Sequence, residues 1–494
     1  MNATLIRPAS KAGIDPGPIF LVVGALLSTL GIAMFIPALV DLSRGYNDWQ
    51  IFAASGCLTL FMGIGMWLSS RAESISMTLR QAFLITVLSW VTLAGFGAIP
   101  LYWSGFTPSY TDAFFESMSG LTTTGSTVMS GLDHLPPGIN LWRGMLQWLG
   151  GLGVIVMAIA VMPMLQVGGM QLFKAEAFDT AEKILPRAAQ IASVMAFVYL
   201  GGTLACAISY FVAGMTFLDA VIHGMTTVAT GGMSSHDASI GYYDSVAIDS
   251  IAIFFMLFGS LPFILYIQFL RGMPDRLFSD SQVKTFFLFL AVLIPIMWIY
   301  QSVQGINSGV DGLRYAAFNV ISIMTGTGYA TTDYTLWGPL ATGFFFILMF
   351  IGGCAGSTAC GIKIFRLQVL FEDLKQHLNR IVFPHGVFVK RYNGAILHDG
   401  VSAAVMSFFF MYMISFVILA ALISFTGLDM TTSLSGAATA ISNVGPGLGS
   451  MIGPSGNFAE LNSTAKWLLS FGMLVGRLEF LTVFVLFVPR FWIH

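Results

Sequence analysis

Phe114-Phe115-Glu116-Ser117-Met118-Ser119-Gly120-Leu121-Thr122-Thr123-Thr124-Gly125 is a moderately apolar run that ends in a glycine turn and is too short to cross a bilayer. Three later segments repeat its character: Ala220 to Gly231, Ala317 to Gly328 and Leu434 to Gly445. Each lies between two long apolar stretches. Taken at Gly125, Gly231, Gly328 and Gly445, the terminal glycines are 106, 97 and 117 residues apart. A near-constant period of this kind marks repeated units, here a span, a short helix with its loop, and a second span.

The composition around these segments belongs to a membrane. Of the 494 residues, 56% are hydrophobic and 9% charged, and mean hydropathy is +0.80. A soluble domain carries roughly a quarter charged residues. A helix needs about 20 apolar residues to cross the hydrocarbon core. Ten stretches approach that length: about 18–40, 51–70, 82–103, 141–165, 188–213, 248–270, 285–302, 338–365, 401–426 and 465–489. With both termini inside, 17 of the 22 basic residues fall on the inner side, including Arg7, Lys11, Arg71, Lys174, Lys183, Arg187, Lys363 and Arg366. That asymmetry sets the orientation. The outer segments hold the acids, among them Asp41, Asp112, Asp219, Asp237 and Asp429, which suggest an acidic, cation-gathering vestibule. The four cysteines lack zinc-type spacing and are expected to be free thiols. The net charge of −2 speaks against nucleic-acid binding.

The expected architecture is an all-α polytopic membrane protein. Residues 1–75 form two extra N-terminal spans. Four units follow, at 76–187, 188–284, 285–390 and 391–494, arranged around one pseudo-fourfold axis. Irregular backbone at membrane depth is tolerated only where it is buried in protein or lines a watery path. Four glycine-ended loops about one axis meet that condition. Glycine gives the positive φ that aims carbonyl groups inward. The short helices present their partly negative C-terminal ends, which favours a cation.

Loops reading Thr-Thr-Thr-Gly-Ser, Ala-Thr-Gly-Gly-Met-Ser, Thr-Gly-Thr-Gly-Tyr and Ser-Asn-Val-Gly-Pro resemble the filter loops of the Trk/Ktr/HKT superfamily of potassium transporters. The likeness covers essentially the whole chain, and the two extra spans point to the TrkH/TrkG branch. It implies a potassium filter made by the backbone carbonyls of Thr123, Thr124 and Gly125, of Ala229, Thr230 and Gly231, of Gly326, Thr327 and Gly328, and of Asn443, Val444 and Gly445. It also implies K⁺ ions held there and no organic cofactor. A homodimer and a cytosolic nucleotide-binding regulator of TrkA/KtrA type follow from the same resemblance, as does a place in the bacterial inner membrane. Residues 171–187, 271–284 and 366–399 would offer the polar face to that regulator.

Gly352-Gly353-Cys354-Ala355-Gly356-Ser357-Thr358-Ala359-Cys360-Gly361-Ile362-Lys363 is poor helix material inside the eighth span. It is similar to the intramembrane gate loop of the family, with Gly352, Gly353, Gly356, Ser357, Thr358, Gly361 and Lys363 as the expected gate residues. Cys360 stands where the family usually has glycine. Arg477 lies mid-way along the last span, and a charge at that depth must face water or a partner. The resemblance places it in the pore as a barrier to cation flow. Glu479, two residues on, is on another helix face. His223 is expected to be a polar packing residue.

No enzyme motif survives inspection. Gly445-Pro446-Gly447-Leu448-Gly449 has neither the preceding strand nor the following Lys-Ser/Thr of a phosphate loop, and Ser357 lacks a nucleophile elbow. Within the transport reading, symport coupled to H⁺ or Na⁺ stays open, as does an alternating-access carrier with inverted repeats.

Overall fold

A computed structural model describes residues 14–70, 78–160, 188–397 and 399–493. The basic residues Arg7, Lys11, Arg71, Lys174, Lys183 and Arg187 lie outside the described residues. So do the segment 171–187 and the far end of the fourth expected span.

Among the described residues the regular structure is helical apart from a minimal hairpin pairing Arg391–Tyr392 with Ala395–Ile396 and an isolated bridge between Ile351 and Ile362. Among the described residues six helices are long and apolar enough to cross a membrane, and two bent pairs bring the number to as many as eight. The bent pairs are Val246–Ser260 with Phe263–Leu270, at 96°, and Ser463–Leu478 with Phe480–Phe487, at 113°. Both replace spans that the sequence suggested were continuous. Pro262, which lacks an N–H, interrupts the first after the small residues Gly259 and Ser260. The second breaks at Glu479, where φ is +66°. Of the remaining two expected spans, one is the helix Pro137–Ala160. The other is Pro339–Leu348, which stops and gives way to irregular backbone until Ile364–Val382 begins.

The repeated unit is present four times. Its short helices are Tyr110–Leu121, Phe217–Val228, Gly309–Met324 and Met430–Ser442. Three start on a side-chain cap: Ser109 accepts from Asp112 N, Thr216 from Asp219 N and Asp429 from Thr432 N. Asp112, Asp219 and Asp311 occupy first turns, where negative charge opposes the helix dipole. Asp429 is therefore a helix cap, and Asp112, Asp219 and Asp311 are first-turn residues, rather than free vestibule charge. Others are ion-paired: Lys466 to Asp112, Arg143 to Glu116 and Arg314 to Asp249.

In the first, second and fourth units the second span approaches its short helix at a glycine, whereas in the third Gly352 abuts Cys360 of the irregular segment. A Cβ added to Gly150, Gly259 or Gly476 would fall 1.8, 2.9 or 2.0 Å from the carbonyl oxygen of Leu121, Val228 or Ile441. Among the described residues the buried core has two large clusters and three small ones. One large cluster joins the N-terminal hairpin with the first and fourth units, the other joins the second and third. Residues such as Phe61 and Phe197, more than two-thirds exposed, point outward where lipid would lie.

Candidate functional site

All four short helices end in the same way. The peptide N–H groups of Thr123 and Thr124 donate to Gly120 O and Ser119 O at 2.9 Å. Those of Thr230 and Gly231 donate to Thr227 O and Thr226 O. Gly326 and Thr327 repeat the pattern onto Ile323 O and Ser322 O, and Asn443 and Val444 onto Ala440 O and Thr439 O. This paired closure is a Schellman cap, which requires a left-handed residue just past the helix. Thr123, Thr230, Gly326 and Asn443 fill that position with φ of 52, 51, 72 and 51°. Left-handed backbone costs a non-glycine residue roughly 1–2 kcal/mol, and such outliers gather where function requires them.

Two residues further on comes a second positive φ, at Gly125 (+90°), Gly232 (+74°), Gly328 (+81°) and Gly445 (+112°). The second member of the set is thus Gly232, not Gly231 as the spacing suggested. The equivalent stretches are Thr123 to Gly125, Thr230 to Gly232, Gly326 to Gly328 and Asn443 to Gly445, with Ala229 one step short of the loop.

These glycines interlock in a ring. A Cβ on Gly125 would lie 2.1 Å from Gly231 O, on Gly232 1.9 Å from Thr327 O, on Gly328 2.1 Å from Val444 O, and on Gly445 2.9 Å from Thr124 O. Each loop therefore leans on the carbonyl of the next, and the fourth closes on the first. The same four glycines line an open cavity of about 310 Å³ on the side of the helix N-termini, walled by residues including Ser126, Met233, His236, Ala330 and Pro446. Asp237 is the one acid in its wall, and it is bound to the peptide N–H groups of Gly131 and Leu132.

The opposite end of the ring meets the irregular segment 349–363. Cys360 Sγ is 3.7 Å from Thr123 Oγ1, and its Cβ would be 3.4 Å from one added to Gly326. The hydroxyls of Thr358 and Thr230 are 3.2 Å apart. The segment is seated in the break of the second bent pair's predecessor, Val246–Leu270. Orphan carbonyls of a helix end need donors. Gly259 O takes the Thr358 N–H, Ser260 O takes the Cys354 N–H, and Gly356 O receives the Phe263 N–H. Gly352 N–H donates to Ile362 O and Gly353 O accepts from Ile364 N–H, so the segment closes on itself at its base. Ser357 Oγ donates to Cys354 O at 2.6 Å, Lys363 Nζ folds back onto Ala359 O, and Gly361 turns at φ +73°. All seven expected gate residues thus belong to one folded plug beneath the ring.

Arg477 is buried against that plug. One guanidinium nitrogen donates to Thr358 O at 3.1 Å and to Cys360 Sγ. Among the described residues its Nε and Nη2 have no hydrogen-bond partner. Glu479 is not its counter-ion: both carboxylate oxygens accept from Arg366 Nη2 at 2.7 Å. Arg366, expected on a partner-facing loop, is instead buried, with its guanidinium 3.6 Å from the centre of the Phe408 ring. His223 is buried, with Nδ1 against Asp219 O and Nε2 against Ser234 Oγ, a packing role as the sequence indicated. The four cysteines are free thiols.

On the outer side, His236 sits among Asp133, Asp219 and Tyr243 and stacks on Tyr242. Burial alone would lower its pKa, but the hydrogen bonds and charges of Asp219 and Asp133 outweigh burial and raise it above 6.5. A raised imidazole pKa gives stability that is complete below about 6.5 and lost as pH climbs through the folded-state value. The thermal midpoint of the purified protein should fall as pH rises above about 6.5, and His236→Gln should flatten that dependence. An unchanged slope in the variant would remove His236 as its source.

Helices that cross a membrane, four re-entrant loops and a ring of backbone carbonyls define a multi-pass membrane transport protein rather than an enzyme. The comparisons agree. A family model described as a cation transport protein, TrkH, matches residues 49–492. The chain is 46% identical over 476 residues to the Trk system potassium uptake protein TrkI of Halomonas elongata, covering 96% of each. It is 37% identical over 480 residues to the Trk system potassium uptake protein TrkH of Escherichia coli, covering 95% of this chain and 98% of the relative. The crystal structure of the potassium transporter TrkH from Vibrio parahaemolyticus superposes with a TM-score of 0.90 at 36% identity, over 97% of this chain and all of that one. The chain belongs to the TrkH family of cation transport proteins.

Proposed function

We propose that the chain is the potassium-translocating subunit of a Trk-type uptake system. K⁺ enters from the glycine-floored cavity, exchanges water for carbonyl oxygens of Thr123 to Gly125, Thr230 to Gly232, Gly326 to Gly328 and Asn443 to Gly445, and passes inward when the plug at 352–363 moves aside. Carbonyl dipoles replace an ion's hydration shell in such filters, and the four helix C-termini add partial negative charge. Arg477 sets an electrostatic barrier below the ring. Both termini lie on the cytoplasmic side of the inner membrane. Two copies associate, and a cytosolic nucleotide-binding partner moves the plug.

The observation that carries this reading is the closed sequence of contacts Gly125–Gly231, Gly232–Thr327, Gly328–Val444 and Gly445–Thr124. Only loops arranged about a common axis can lean on one another in that order. Relatives named as potassium uptake proteins support the choice of ion. Uptake of ⁸⁶Rb⁺ into proteoliposomes tests it: the purified protein should carry Rb⁺ in preference to Na⁺, and Gly125→Ser should erode that preference. An absence of Rb⁺ flux, or an intact preference in Gly125→Ser, would sink the filter assignment.

A further inference from the structure

Gln147 breaks the fourfold pattern at the ring. It lies three residues before Gly150, the glycine that touches the first short helix. The same position in the other units, three before Gly259, Gly352 and Gly476, is Met256, Met349 and Met473, each fully buried. Packing at this point therefore works with an apolar side chain of nearly the same length. Gln147 is also fully buried, and a buried amide is costly unless its groups are bonded.

Both ends of the amide are used, and both grip the second loop. Nε2 donates to Gly231 O at 2.6 Å, and Oε1 accepts from Met233 N–H at 3.0 Å. The amide thus straddles Gly232. Gly231 O is one of the four ring oxygens, the one on which Gly125 leans. Among the four leaned-on oxygens it is, within the described residues, the one with a side-chain donor; elsewhere in the loops Ser126 Oγ donates to Gly445 O at 2.6 Å. The amide also explains the residue at 231. The other loops carry Thr124, Thr327 and Val444 there, but a Cβ on Gly231 would lie 2.4–2.7 Å from the Gln147 amide atoms.

We propose that Gln147 is a positioning residue that sets ion discrimination at the ring, by fixing the Gly231 carbonyl and sharing its lone pairs. The ring then has three unshared oxygens and one restrained oxygen. A carbonyl held by a second donor can neither rotate inward onto a smaller ion nor offer its full field, and both properties decide which cation is stable there. This inference rests on the filter reading above.

The test uses the full-length protein in proteoliposomes, with ⁸⁶Rb⁺ and ²²Na⁺ uptake measured in parallel. Gln147→Met installs the side chain found in the other three units and removes both hydrogen bonds. Gln147→Glu keeps the shape and the bond from Met233 N–H but, when ionised, cannot donate to Gly231 O. Both should lower the Rb⁺/Na⁺ ratio by about fivefold or more, on the scale of one lost hydrogen bond, while total monovalent flux is maintained. An unchanged ratio in both variants overturns the inference, as does an equal loss of Rb⁺ and Na⁺ flux, which would mark a general packing role. If wild type carries no Rb⁺, the filter reading itself fails. If Gly125→Ser loses discrimination while both Gln147 variants keep it, only the role of Gln147 fails.

Discussion

Replacing Gly232 with alanine abolishes ⁸⁶Rb⁺ uptake, by at least about a hundredfold, whereas the same change at Gly231 leaves a measurable rate. The two neighbours differ in what a methyl group would meet. At Gly232 the backbone is left-handed, and the added carbon would lie 1.9 Å from Thr327 O and 2.9 Å from Thr327 C. Both are backbone atoms of the ring and cannot yield without moving the third loop. At Gly231 the backbone is ordinary and the obstacle is the side-chain amide of Gln147, which can turn away. A hundredfold loss corresponds to about 2.7 kcal/mol, and left-handed strain alone supplies roughly half of that. Initial rates in proteoliposomes, normalised to protein that elutes as one species in detergent, decide the matter. Equal losses at the two positions would show that the register drawn from the backbone is wrong.

Arg477→Ala raises Rb⁺ flux by about tenfold or more. Two unit charges ~8 Å apart interact by ~2 kcal/mol at an effective dielectric of ~20, enough for a tenfold change in rate. The substitution also cuts the donation to Thr358 O and the contact with Cys360, two of the ties that hold the plug against the ring. Arg477→Lys separates the two contributions, because it keeps the charge and loses the guanidinium fork. A rise in the alanine variant alone identifies charge as the barrier; a rise in both identifies the tie. No change in either would assign Arg477 to structure only.

Much of this architecture is written in local pattern. Apolar length gives the spans, and a glycine turn after a run too short to cross gives the re-entrant loops. What escaped reading is set by residues distant in the chain. The pair Gly231-Gly232 offers two candidates for one structural role, and the choice depends on Gln147, 84 residues earlier. A tetrad comparison, Thr-Thr-Thr-Gly against Ala-Thr-Gly-Gly, Thr-Gly-Thr-Gly and Ser-Asn-Val-Gly, holds the correct register, because its last glycine is the left-handed one in every case. Pro262 after Gly259 and Ser260 was a visible signal for the 96° break. Glu479 carried none: its positive φ is held by Arg366, 113 residues away, and no local propensity predicts it. The outer acids could not be sorted from sequence, because a carboxylate at a helix start and one in an ion funnel look alike in composition. Only the cap geometry of Ser109, Thr216 and Asp429 separates them.

Closure of the ring within one polypeptide has a genetic consequence. In a filter assembled from four identical chains, one codon change alters every quadrant at once. Here a codon change alters one quadrant and leaves three, so the loops are free to diverge. Gly231 in the second loop and Gln147 in the first unit, where the other loops carry threonine or valine and the other units methionine, are differences of this kind. Each quarter of the ring can therefore be altered on its own.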